Sequence, residues 1–176
     1  MYLEFVLLIS DYFKTLSRRI ALFDWFVPFL FGISIFVLLY TGAKVSSTEV
    51  FKNSSISLLG ILAGFSITII TILTTGHSKN LTAIKNQETS YKIGNTKITL
   101  FRLLLINFTY SVVLEVFLII FCLTYPIVLE NIEFSCLTKY IGFSVLVFFV
   151  LHLLLLTVRN LTDFYLIITK PENLRD

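Results

Sequence analysis

"LLLINFTYSVVLEVFLIIFCLTY", residues 103–125, holds one charged side chain, Glu115, in an otherwise uncharged, largely apolar run. A helix needs about 20 apolar residues to cross the hydrocarbon core of a bilayer. This stretch is long enough, and Pro126 follows it directly. Three further stretches have the same character: about Ile20 to Thr41, about Ser55 to Thr75, and about Tyr140 to Val158. The second has no charge, and the last carries His152 and stops at Arg159. Trp25 and Tyr40 lie near the two ends of the first, where interfacial aromatic anchors belong.

The rest of the composition agrees. Hydrophobic residues are 56% of the 176 and charged residues only 14%, with 18 Phe; soluble domains carry roughly 25% charge. Mean hydropathy is +0.88. The expected architecture is all-α, an integral membrane four-helix bundle forming one domain over residues 1–176. Nothing resembles the basic, aromatic-interleaved face of a nucleic-acid binder, so direct nucleic-acid binding is not expected.

Orientation follows from the Lys and Arg residues flanking the spans. Lys14, Arg18, Arg19, Lys79, Lys85, Lys92, Lys97, Arg102, Arg159, Lys170 and Arg175 fall on one side, and Lys44, Lys52 and Lys139 on the other. The positive-inside rule then places both termini and the 76–102 loop in the cytoplasm. The N-terminal segment, "MYLEFVLLISDYFKTLSRR", carries Glu4 and Asp11 where a signal peptide would be basic, and it is expected to be retained. Its apolar residues gather mostly on one helical face, so residues 1–19 read as an amphipathic helix lying in the membrane interface. It either anchors the first span or senses lipid.

In the cytoplasmic loop, Leu81, Ile84 and Lys85 would extend the second span as helix, and "YKIGNTKI" reads as a small turn around Gly94-Asn95. The fourth span is expected to continue through "RNLTDFYLIITK" as a helical tail, residues 159–176, until Pro171. Leu161, Phe164, Tyr165 and Ile168 would give that extension an apolar stripe for a docked partner.

Two polar patterns lie inside the spans. Ser57, Gly60, Gly64, Thr68, Thr71 and Thr75 recur at helical spacing, with a GxxxG at Gly60 and Gly64. Small residues let helix backbones approach closely in lipid. The stripe reads as packing within one subunit, a homo-oligomer interface or a pore-facing line. Asn107, Ser111 and Glu115 follow at i, i+4 and i+8, with Cys122 beyond. An intramembrane carboxylate is either packing glue or part of an ion pathway or switch.

His152 is a less favoured partner for Glu115. At 1.5 Å per residue, Glu115 lies roughly 20 Å in from Arg102 and His152 about 10 Å in from Arg159. Gly64 and Thr68 are nearer the level of Glu115, so a Glu115–Thr68 or inter-subunit contact is expected instead. His77 and His152 have no companions at ligand spacing, so no metal is expected, and no cofactor either. Cys122 and Cys136 leave room for a disulfide in an oxidising compartment. Several N-x-S/T triplets, at Asn53, Asn80, Asn107 and Asn160, read as chance in a chain of bacterial style. No nucleophile elbow, phosphate loop or carboxylate pair points to an enzyme.

The amphipathic start, the four spans with both ends inside, the "SLLGILAGFSITIITIL" second span and the basic central loop together resemble the KwaA family. These are the small membrane subunits of the Kiwa anti-phage defence system of bacteria. The resemblance implies a homo-oligomeric inner-membrane protein that detects phage attack at the envelope and works with a cytosolic partner, KwaB. It carries no catalytic residues over. From the residues themselves the expected function is a sensor and scaffold docking a cytosolic effector; the competing reading is a small ion channel or pore-forming effector with Glu115 near its pathway. A third, weaker reading is a membrane-embedded enzyme using Glu115 or His152.

Overall fold

In the computed structural model the described residues are 2–42, 48–131 and 135–169. The chain is an α-helical bundle with one small hairpin. Helix α1 covers Tyr2–Lys14; α2, Arg18–Ala21, continues through a π-helical turn, Leu22–Phe26, into α3, Val27–Tyr40. Then come α4, Thr48–Thr75, the short α5, Lys79–Asn86, the strands β1, Glu88–Ile93, and β2, Thr96–Thr99, and the long helices α6, Leu100–Asn131, and α7, Cys136–Thr169.

Among the described residues four helical segments are long and apolar enough to cross a membrane: Arg18–Tyr40, Glu49–Thr75, Leu100–Tyr125 and Cys136–Leu166. This is a multi-pass transmembrane protein. The 34 residues of α7 span about 51 Å at the helical rise, more than the roughly 30 Å of hydrocarbon, so the helix must extend beyond it.

α4 packs on α6, α6 on α7 and α7 on α3, giving the spatial order α4–α6–α7–α3. α3 is apolar all round, and its Phe29, Phe31, Val37 and Leu38 are exposed, as lipid-facing side chains can be. It meets α7 at Gly32, where an added Cβ would lie 3.3 Å from both Phe148 Cβ and the Ser144 carbonyl oxygen. A side chain there would be tight, and the neighbours would have to give by a few tenths of an ångström.

The core divides into two clusters. One holds Tyr12, Leu59, Tyr110, Leu118, Val150, Leu153 and Leu156 among others. The second, toward the hairpin, holds Ile69, Leu73, Leu81, Ile84, Leu104 and Phe108.

At the hairpin end the chain breaks after Thr75 rather than continuing as one helix. Ser78 caps α5, its side chain accepting from the Leu81 N–H, which satisfies one of the orphan donors of a new helix. Leu81 and Ile84 turn inward, while Lys85 lies 5.4 Å from the centroid of the Phe101 ring. The hairpin turns at Gly94-Asn95, with Ile93 opposite Thr96. Gly94 has φ +62, the backbone region that two-residue hairpin turns require and glycine adopts freely. α1 contacts β1 and α6, and α5 contacts α7. The N-terminal helix, the hairpin and the end of α7 therefore gather at one end of the bundle.

Candidate functional site

The densest polar arrangement is one that periodicity did not single out. Asp24, 1% exposed, forms an ion pair with Arg159 of α7. The helix continues past Arg159 through the expected extension, and the Arg159 side chain is only 17% exposed. A buried charge needs a partner, and each of these residues supplies one for the other.

Pro28 explains the next contact. Proline has no N–H to give the carbonyl four residues earlier, which here belongs to Asp24. His152 Nδ1 lies 2.7 Å from that oxygen. A carbonyl only accepts, so His152 must donate through Nδ1. The π-helical turn Leu22–Phe26 carries Asp24, and single π turns within α-helices occur often at functional sites.

Aromatic rings enclose this junction. Trp25 lies 4.4 Å from His152, centroid to centroid, and also contacts Phe148 and Phe13. It is thus half-buried against its neighbours. Tyr12 of α1 stacks on Tyr110 of α6 at 3.7 Å with planes 4° apart. Burial pushes the Tyr12 hydroxyl above its ordinary pKa, against the opposing pull of Arg159. The amphipathic N-terminal helix is therefore tied to the junction by a fully buried side chain. Its Asp11 also pairs with Lys14 at 3.7 Å and Arg102 at 3.8 Å, while Phe5, Val6, Ile9 and Phe13 remain exposed.

Glu115 forms a second polar centre. It is fully buried on α6, with Ser111 at 0%, Asn107 at 6% and Cys122 at 1% exposure. The expected contact with Thr68 does not form within the chain. Gly64 and Thr68 both face outward, and the Thr68 hydroxyl donates to the Gly64 carbonyl of its own helix at 2.8 Å. The buried face of α4 is instead Ser55, Leu59, Ala63, Ser66, Ile69 and Leu73. The polar group that Glu115 faces is Thr157 of α7, yet neither carboxylate oxygen has a hydrogen-bonding partner among the described residues. Ser66, Ser111, Thr157 and Asn160 also have buried side-chain oxygens without partners. In sequence Ser66 on α4 and Thr157 and Asn160 on α7 fall between the hairpin-end cluster and the larger one, while Ser111 lies within the larger cluster's stretch of α6. His152 serves Asp24 and not Glu115.

The other expected sites separate in the same way. Ser57, Gly60, Gly64, Thr68, Thr71 and Thr75 are all exposed. A Cβ added at Gly60 or Gly64 would meet nothing within 4 Å, so the stripe makes no close packing inside the subunit. On the α7 extension, Leu161 and Tyr165 are exposed. Phe164 turns inward, edge-on to Phe108 and against the hairpin-end cluster, and is not part of an outward stripe. The Ile168 side chain lies outside the described residues, as do 170–176. Cys122 is buried, Cys136 is exposed, and both are free thiols. Among the described residues no group of His, Cys, Asp and Glu is placed to hold a metal.

A half-open cavity of about 300 Å³ adjoins the junction. Thr15, Leu16 and Ile20 line it from the N-terminal segment, Tyr91 from the hairpin, Leu103 and Asn107 from α6, and Arg159, Asp163 and Leu166 from α7. No protein family, curated protein or solved structure matches this chain.

Proposed function

We propose that the protein is a homo-oligomeric sensor and scaffold of the bacterial inner membrane, with both termini in the cytoplasm, that docks a cytosolic effector. It is not a catalyst in this reading. The observation that carries the reading is the gathering of α1, α5, the hairpin and the end of α7 at one end of the bundle. That end collects the basic residues Lys14, Arg18, Arg19, Lys79, Lys85, Lys92, Lys97 and Arg102, which supports a cytoplasmic orientation. It also exposes Leu161 and Tyr165, two apolar side chains on a helix that extends beyond the spanned thickness.

Oligomerisation is supported by the outward stripe on α4. Its glycines leave open space beside the backbone, the condition under which helices approach closely in lipid. The resemblance to KwaA gives this reading its biological setting: anti-phage defence, in which this membrane subunit detects envelope perturbation and docks a KwaB-like partner. The test is co-purification of the product of an adjacent gene from native membranes. Leu161→Asp and Tyr165→Asp should abolish co-purification and cellular protection while leaving membrane insertion intact. Retention of the partner by both variants would refute docking at this surface.

A second reading, a small channel or pore-forming effector, is favoured by the unpartnered Glu115 carboxylate and the hydroxyls of Ser111 and Thr157. Purified protein in bilayers should then conduct, and Glu115→Gln should change conductance or selectivity. Electrically silent bilayers would eliminate it.

A further inference from the structure

The cavity beside the Asp24–Arg159 pair is built unevenly. Its apolar wall comes from Leu16, Ile20, Leu100, Leu103, Leu104 and Leu166, and its polar wall from Asn107, Arg159 and Asp163. At about 300 Å³ it lies at the lower end of the range for small-molecule sites.

The charges are not balanced inside the protein. Arg159 is already committed through Nη1 to Asp24, and Asp163 lies close enough to feel Arg159 through space but forms no ion pair with it. Two carboxylates thus share one guanidinium, and Asp163, on the cavity wall, is the one left over. Asn107 is buried to 6% exposure and its side chain makes no hydrogen bond among the described residues. Arg159 is 17% exposed and lines the same cavity. A complementary occupant brings a cation with N–H donors for Asp163, an anion for the uncommitted donors of Arg159 and Asn107, and a hydrocarbon end for the leucines.

We propose that this cavity binds the headgroup of phosphatidylethanolamine, its ammonium on Asp163 and its phosphate on Arg159 and Asn107. The first methylenes of its chains lie along Leu16, Ile20 and Leu103. An anionic lipid without an amine leaves Asp163 facing a negative charge. A choline headgroup carries positive charge but no N–H to donate. The amphipathic α1 and the span-forming α6 and α7 place the cavity at the edge of the apolar segments, where headgroups lie. This site is independent of the scaffold reading and stands or falls by itself.

The experiment is native mass spectrometry of the full chain in mild detergent with equimolar phosphatidylethanolamine, phosphatidylglycerol and phosphatidylcholine. Retention of phosphatidylethanolamine should exceed that of the other two by about tenfold, the preference that one hydrogen bond to a charged group supplies. Equal retention means loosely associated lipid only and overturns the proposal, as does a preference for phosphatidylglycerol. Asp163→Asn should bring the three lipids to parity, and Leu103→Trp, which fills the cavity, should lower retention of all. A preference that survives Asp163→Asn places the ammonium elsewhere and overturns the assignment.

If either variant fails to fold, the wild-type chain still decides through stepwise N-methylation of the lipid amine. Retention should fall with each N–H lost, and a flat series overturns the proposal. Soluble phosphoethanolamine in large excess should leave the lipid bound, because it lacks the chain that the leucines cover; displacement by it would refute a lipid site.

Discussion

Asp24 and Arg159 stand 135 positions apart in the chain and meet as an ion pair inside the bundle, the first on the π-helical turn of the first span and the second inside α7. The pair joins the outermost helix of the bundle to its centre. Breaking a buried pair from one side strands a charge, at a cost of about 3–5 kcal/mol, whereas replacing both partners is often nearly neutral. Asp24→Asn alone should therefore lower stability in detergent more than Asp24→Asn combined with Arg159→Met. Thermal unfolding of the singles and the double checks this; a double variant less stable than either single would contradict it.

His152 and Pro28 form a linked pair through the Asp24 carbonyl. Removing the imidazole in His152→Ala leaves a buried carbonyl without a donor, a penalty of about 1–3 kcal/mol, in addition to lost packing against Trp25. Pro28→Ala restores an N–H that can reach the same oxygen as the fourth-neighbour helical bond. The double variant should be more stable than His152→Ala alone. Strict additivity in unfolding experiments would show that the two do not act on one oxygen.

Glycine substitutions should separate the two faces of the bundle. Gly32→Leu drives a side chain into Phe148 and the Ser144 backbone; overpacking of this kind costs about 1–3 kcal/mol. Gly60→Leu and Gly64→Leu meet open space within the subunit and should leave monomer stability unchanged. Both should lower the oligomeric state, measured by mass in detergent, if α4 forms the subunit interface.

Tyr12 holds α1 to α6 through its stacked ring. Tyr12→Ala should loosen the N-terminal helix, because truncating a buried aromatic costs about 3–5 kcal/mol. Tyr12→Phe should be tolerated better, since it keeps the stacked ring. Protease sensitivity of the first fourteen residues reads the difference.

Glu115→Gln should keep the stability of the wild type or raise it. The carboxylate makes no hydrogen bond among the described residues, and a neutral amide is less costly to bury than a charge. A large loss in thermal unfolding would mean that the carboxylate has a partner essential to the fold.

The amino-acid sequence by itself determined the four membrane-crossing helices and the turn at Gly94-Asn95. Hydropathy adds up residue by residue along a segment, and a turn is settled by the backbone freedom of one or two residues; both are local. The grouping of Asn107, Ser111 and Glu115 on one face was legible for the same reason, since helical spacing alone places them there. A lone acid, Asp24, near the start of an apolar span was the available signal for the junction, but nothing local names its partner.

Only the tertiary structure decided which way each helix faces. A helix apolar on nearly every side, such as α3, has no periodic signal to distinguish core from lipid. The small-residue stripe of α4 thus turned outward while Ala63 and Ser66 faced in, and Phe164 packed inward against Phe108 while Leu161 and Tyr165 stayed exposed. Pairing across the bundle depends on which helices become neighbours, and that is set by the packing of all four together. Arg159 could be read in the sequence as the end of a span; its place beside Asp24 arose only when α3 packed against α7.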